Sequence, residues 1–141
     1  MEDIRLKIKG VQIGMDFEEE IMEFITDGKL YNRNGKWYLL YEESEVSGIE
    51  GYKTSLRYGD DNVRLKRIGK NQEKYTILEF EKGKKYNALY STPFGSFEIE
   101  ILTNKLEKNI SSDGRGTIDV DYSICLKGLS EGRNKINIEI M

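Results

Sequence analysis

The sequence predicts an all-β fold: a single closed or nearly closed antiparallel barrel of about 8–10 strands, with residues 1–141 forming one domain. Three observations carry this. Apolar residues recur with a period of two through most of the chain. Glycine-rich turns punctuate those runs at regular spacing, with 14 glycines against one proline. No stretch reads as a βαβ unit, an interdomain linker or an internal repeat. An open sheet of this many strands would leave vulnerable edges, which closure removes. A two-sheet sandwich is the runner-up.

Residues 3–14 alternate clearly at first, with Ile4, Leu6 and Ile8 on one face and Arg5, Lys7 and Lys9 on the other. Gly10 and Gly14 mark places for a bulge, a bend or a chain exit. Residues 15–26, MDFEEEIMEFIT, fit two patterns. Phe17, Ile21, Phe24 and Ile25 suit a short helix, whereas Ile21, Glu23 and Ile25 share a strand face. Aromatic and β-branched content after Glu20 favours a strand over 20–32, with Asp27-Gly28 as a bend or bulge within it. A first-turn helix over 16–20 is the alternative.

Asn34-Gly35 is a compact hairpin signal, because both residues accept left-handed dihedrals. In the strand over 36–43, Trp37, Leu39 and Tyr41 share one face, with Tyr38 and Leu40 opposite. Residues 44–51 read as a polar loop. Tyr52, Thr54, Leu56 and Tyr58 then share a face, 59–62 close a hairpin, and Val63, Leu65 and Arg67 align on the strand that follows. After a turn over 69–73, two apolar-rich runs, 75–80 and 86–90, flank the turn 81–85. This hairpin, extended to the corner at Thr92-Pro93-Phe94-Gly95, is expected at the middle of the sheet. Phe97, Ile99, Ile101 and Thr103 align on the next strand, which runs irregularly towards Ile110. A turn over 111–116, a clean strand over 117–127, a turn over 128–133 and a final strand over 134–141 complete the chain.

Composition narrows the chemistry. There is no histidine, which removes the usual neutral-pH general base and the commonest metal ligand, and with them Ser–His and Cys–His nucleophilic systems. The one cysteine, Cys125, excludes an internal disulfide and a CxxC site, and it reads as a plain strand residue. Net charge is −3, which disfavours long-range attraction to nucleic acid or an anionic membrane. There is no apolar signal-peptide core and no stretch of about 18 apolar residues, so the expectation is a cytoplasmic protein without membrane insertion.

The carboxylate pairs Glu98/Glu100 and Asp119/Asp121 each share a strand face, as acid–base pairs require. Both oppose apolar stripes, so they are read as solvated faces. Arg64, Lys66 and Arg67 form the densest basic group, with tyrosines on nearby strands. The acidic total and the lack of an aromatic RNA-binding motif argue against a nucleic-acid partner.

Arg67 is the most informative candidate, because an inward arginine requires partners. Glu79, across the next hairpin, is the expected one. If both line a cavity, they mark a ligand pocket whose rings come from Tyr41, Tyr58, Tyr75 and Tyr90. A satisfied core ion pair is the structural alternative for the charges, and half-buried packing is the alternative for the tyrosines.

Tyr41-Glu42-Glu43, Arg67-Ile68-Gly69, Phe80-Glu81-Lys82-Gly83, Tyr90-Ser91-Thr92-Pro93-Phe94-Gly95 and the Asp119-Val120-Asp121-Tyr122 strand give the chain a familiar pattern. It resembles the uncharacterised bacterial YwiB-like family over nearly its whole length. The resemblance implies a calycin-like barrel, similar in architecture to lipocalins and fatty-acid-binding proteins. It implies no catalytic residues and no cofactor. The functional expectation is a non-enzymatic barrel that binds a small amphipathic or apolar molecule inside. The alternative is a protein-interaction or structural module using an outer face or edge. A carboxylate enzyme or a single-stranded nucleic-acid binder ranks below both.

Overall fold

The computed structural model describes residues 1–14, 18–43, 52–59, 61–69, 75–92, 95–126 and 130–141; the side chains of 75, 90–92, 95 and 130 lie outside that description. Ten strands occur among the described residues: β1 (Glu2–Ile13), β2 (Glu19–Arg33), β3 (Lys36–Glu42), β4 (Lys53–Tyr58), β5 (Asn62–Ile68), β6 (Tyr75–Glu81), β7 (Lys85–Thr92), β8 (Gly95–Ile110), β9 (Gly116–Leu126) and β10 (Ser130–Ile140). All pairings are antiparallel, in the order β6-β5-β4-β3-β2-β1-β10-β9-β8-β7. Among the described residues there is no helix, and so none long and apolar enough to cross a membrane. The fold is all-β and the sheet curls into a nearly closed barrel.

The alternation that predicts the strands also selects their inner faces. Ile4, Leu6 and Ile8, then Leu39, Leu56, Leu65 and Phe80, then Ile99, Ile101, Ile118, Val120 and Ile138 are all buried in one core. Asn34 and Gly35 adopt φ of 56° and 80°, the left-handed pair that a tight hairpin needs.

Four sequence expectations change. The hairpin over 74–95 is not the middle of the sheet: β6 and β7 are its two ends, and no ladder joins them among the described residues. The 81–85 turn instead brings the two edges together at the barrel seam. Gly83 N–H donates to the Thr103 carbonyl at 2.9 Å, and Thr103 N–H to the Lys84 carbonyl at 3.2 Å, so β8 holds the turn. Asp27-Gly28 is no bulge, since Arg5↔Asp27 and Ile4↔Gly28 pair in unbroken register. Gly28 is needed for space: a Cβ there would stand 2.9 Å from the Leu40 carbonyl oxygen. Residues 130–133, expected in a turn, are already paired in β10. The helix alternative over 16–20 fails at Glu19 and Glu20, which are in β2; residues 16 and 17 lie outside the described residues, as do 44–51, 70–73, Pro93 and Phe94.

One end of the barrel is closed by the 111–115 turn between β8 and β9. Its Gly114 is buried, and its carbonyl accepts a 2.8 Å hydrogen bond from the Tyr58 hydroxyl on β4. The cavity described next lies at the opposite end.

Candidate functional site

A single cross-strand row on the inner face builds the site. Ladder partners run Ile4↔Gly28, Gly28↔Tyr41, Tyr41↔Thr54, Thr54↔Arg67 and Arg67↔Thr76. The row begins aliphatic and turns polar across β3 to β6. Glu43, two residues beyond Tyr41, keeps the inward phase past the end of β3, where its N–H donates to the Tyr52 carbonyl at 2.8 Å.

Among the described residues Glu43 is the deepest charge, with its side chain only 2% exposed. The Thr54 hydroxyl donates to Glu43 Oε1 at 2.6 Å, and Arg67 Nε stands 3.8 Å from the same oxygen. That separation is an ion pair but not a hydrogen bond. Arg67 Nε is buried with no hydrogen-bond partner among the described residues. Tyr41, buried against this cluster, has its phenol held well above the ordinary range. Burial is the main cause and the Glu43 charge adds to it, while Arg67 and a hydrogen bond with Thr54 oppose. Tyr41 is therefore a neutral hydroxyl.

Arg67, Thr76 and Leu78 line a cavity of about 500 Å³ together with Ile99, Ile124 and Leu126, and the carboxylates Glu18, Glu20 and Glu131 line it too. Phe80 and Tyr122 pack together in the core below, with ring centroids 4.8 Å apart. Pockets of this size and mixed lining suit small organic ligands. A larger depression, about 870 Å³, runs over β1 to β4 outside the barrel. Its polar lining includes the exposed pairs Asp3–Lys29 and Arg5–Asp27, which are already neutralised. The interior cavity is the better candidate.

The structure brings Arg67 and Tyr41 together as the sequence suggests, but not Arg67 and Glu79. Ladder partners are Arg64↔Glu79 and Arg67↔Thr76, so Glu79 faces outward, where its carboxylate lies 3.5 Å from Arg64 Nε. The error is one of phase: Glu79 alternates with the buried Leu78 and Phe80. Tyr58 is buried at the closed end and bonded to Gly114, four residues along β4 from Thr54, or about 13 Å at strand rise. Tyr75 and Tyr90 pair through their backbones with Ile68 and Phe97; their side chains lie outside the described residues.

Glu43, Thr54 and Thr76 are the site residues that sequence reasoning missed. The signal was present, since Glu43 extends the Trp37, Leu39, Tyr41 alternation and Thr54 interrupts an otherwise large-residue stripe. The carboxylate pairs point outward and are engaged: Arg133 Nη2 meets Asp121 Oδ2 at 2.6 Å, Asn137 donates to Asp119 at 2.6 Å and Lys85 lies 3.3 Å from Glu100. Among the described residues no three Cys, Asp or Glu side chains converge as a metal site would need.

Comparison with known proteins places this geometry in context. A family profile described as "Domain of unknown function (DUF1934)" matches residues 6–138. The chain is 29% identical over 125 residues to the uncharacterised β-barrel protein YwiB of Bacillus subtilis strain 168, covering 86% of this chain and 80% of that protein. It superposes on the crystal structure of the B. subtilis ywiB protein with a TM-score of 0.78 at 25% identity, covering 97% of this chain and 90% of the other.

Proposed function

Because the chain belongs to the DUF1934 family, whose description assigns no activity, we propose a function from the site itself: a non-enzymatic barrel that binds a small amphipathic molecule in its interior. The observation that supports this is Arg67. Its buried Nε has no hydrogen-bond acceptor among the described residues, it holds Glu43 only at ion-pair distance, and it shares a cavity with Leu78, Ile99, Ile124 and Leu126. A ligand with an apolar body and an anionic or hydrogen-bond-accepting head satisfies both features. The head completes the Arg67 hydrogen bonding, and Leu78, Ile99, Ile124 and Leu126 take the body out of water at about 25 cal/mol per Å² of apolar surface. Glu43 offsets Arg67, and Glu18, Glu20 and Glu131 also line the cavity, so the site selects a weak or singly charged head over a multivalent anion.

The test is fluorescence titration with 1-anilinonaphthalene-8-sulfonate, which joins fused rings to one sulfonate. The expected result is saturable enhancement with the folded protein, weakened about tenfold or more by Arg67→Met and abolished by Leu126→Trp, which fills the cavity. Unfolding curves confirm that each variant remains folded. No enhancement with the native protein, or enhancement indifferent to both substitutions, refutes the reading.

A second reading, a protein-interaction module, draws on three aliphatic side chains. Ile21 and Ile25 on β2 are 64% and 61% exposed, and Leu89 on the edge strand β7 is 59% exposed.

A further inference from the structure

The basic group Arg64, Lys66, Arg67 is divided by the pleat. Arg67 turns inward, and Arg64 and Lys66 face outward. On the outer face they join a row whose ladder partners are Tyr31↔Tyr38, Tyr38↔Arg57, Arg57↔Arg64 and Arg64↔Glu79. The outward positions on β2 to β5 add Arg33, Lys36, Lys53 and Lys29, the last paired with Asp3, against the acids Glu19, Glu23, Asp27 and Glu42. The outer faces of β8 and β9 carry Glu98, Glu100, Glu107, Asp119 and Asp121 instead. A chain of net charge −3 thus keeps a basic excess on this face, because most of its acids lie elsewhere.

Two details of this face call for a ligand. Arg57 and Arg64 are direct cross-strand partners, a like-charge arrangement that destabilises a sheet unless an anion offsets it. Glu79 offsets Arg64 only at ion-pair distance, and Arg64 Nε is buried with no hydrogen-bond partner among the described residues. Beside the arginines, the rings of Tyr31 and Tyr38 lie stacked, centroids 5.0 Å apart and 6° from parallel, both half-buried. A flat ring pair next to a pair of guanidinium groups suits a chain of alternating planar bases and phosphates.

We infer that the outer face of β2 to β5 is a binding surface for single-stranded nucleic acid, with Tyr38 stacking a base and Arg33, Arg57 and Arg64 holding phosphates. The occupant is single-stranded because the stack needs an unpaired base, and a convex sheet offers no element to enter a duplex groove. The net charge weakens long-range attraction, so binding is short-range and salt-sensitive. It is independent of the interior cavity.

The experiment is fluorescence anisotropy with a fluorescein-labelled deoxythymidylate of about 12 nucleotides and the full chain. Kd is expected in the micromolar range, on the order of 1–100 µM at about 50 mM salt. Three phosphate contacts give a log–log salt slope of about −2, so about 200 mM salt weakens binding about 20-fold. Arg57→Gln and Arg64→Gln each reduce the slope by about 0.7. Tyr38→Ala weakens binding about tenfold without changing the slope, while Tyr38→Phe, which keeps the ring, binds as the native protein does. Lys105→Gln, on β8, leaves binding unchanged. The inference is overturned if no binding is seen at about 100 µM protein and low salt, if the arginine variants bind normally, or if a duplex of the same length binds equally well.

Discussion

Arg67 Nε and Glu43 Oε1 stand 3.8 Å apart inside the barrel, and the same Glu43 oxygen accepts the Thr54 hydroxyl at 2.6 Å. The two charges are not equally buried: the Glu43 side chain is 2% exposed and that of Arg67 is 30% exposed. Arg67 is thus the member of the pair that reaches the cavity.

That asymmetry predicts unequal mutants. Arg67→Met leaves Glu43 charged and buried beside a hydroxyl alone, and is expected to cost about 2–4 kcal/mol. Glu43→Gln leaves an arginine that can turn to water, and is expected to cost about 1 kcal/mol. The double variant should recover part of the Arg67→Met loss. Urea unfolding of the three proteins measures this. Equal single-mutant effects would show that burial does not set the balance.

The closed end makes a different demand. A Cβ at Gly114 would stand 2.6 Å from the Trp37 ring, and the residue's φ of +84° is strained for any L side chain. Gly114→Ala is therefore expected to cost about 2–4 kcal/mol. Tyr58→Phe, which removes the bond to the Gly114 carbonyl and nothing else, should cost about 1–2 kcal/mol. Thermal unfolding should rank them in that order, and a Gly114→Ala protein as stable as the native one would contradict the packing described.

On the outer face, Arg133 grips Asp121 through both Nε and Nη2, at 2.8 and 2.6 Å. That hydrogen bonding holds the Asp121 carboxyl below its ordinary value of 3.8, while its partial burial opposes. A depressed native pKa stabilises the fold where the group is ionised in both states. The contribution is full above about pH 5 and is lost as pH falls through 3.8 towards the native value. Asp121→Asn should cost about 1 kcal/mol at pH 7, and the gap should narrow as pH falls below 3.8. A gap constant with pH would exclude the Arg133 pair as its source.

Most of the barrel was legible in the sequence because each strand states its own phase. Ile4, Leu6 and Ile8, or Ile118, Val120 and Tyr122, need no partner to reveal which side is buried. Sheet order is another matter. The 75–90 hairpin has strong apolar runs and a tight glycine turn, yet its strands pair with β5 and β8 rather than with each other. Local turn chemistry specifies a reversal of the chain, and barrel closure decides where the seam falls. The site was half legible. Arg67 follows from the phase of Val63 and Leu65, but its partner was sought on the following strand, where Glu79 is out of phase. The true partner, Glu43, comes from two strands earlier, past the end of a regular strand, where alternation gives its weakest signal.

The interior-ligand reading is tested most directly by methyl NMR of the protein titrated with 1-anilinonaphthalene-8-sulfonate. The expected result is saturable shifts at Leu78, Ile99, Ile124 and Leu126, which line the cavity beside Arg67. Shifts confined to the exposed Ile21, Ile25 and Leu89, or no shifts at all, would contradict it.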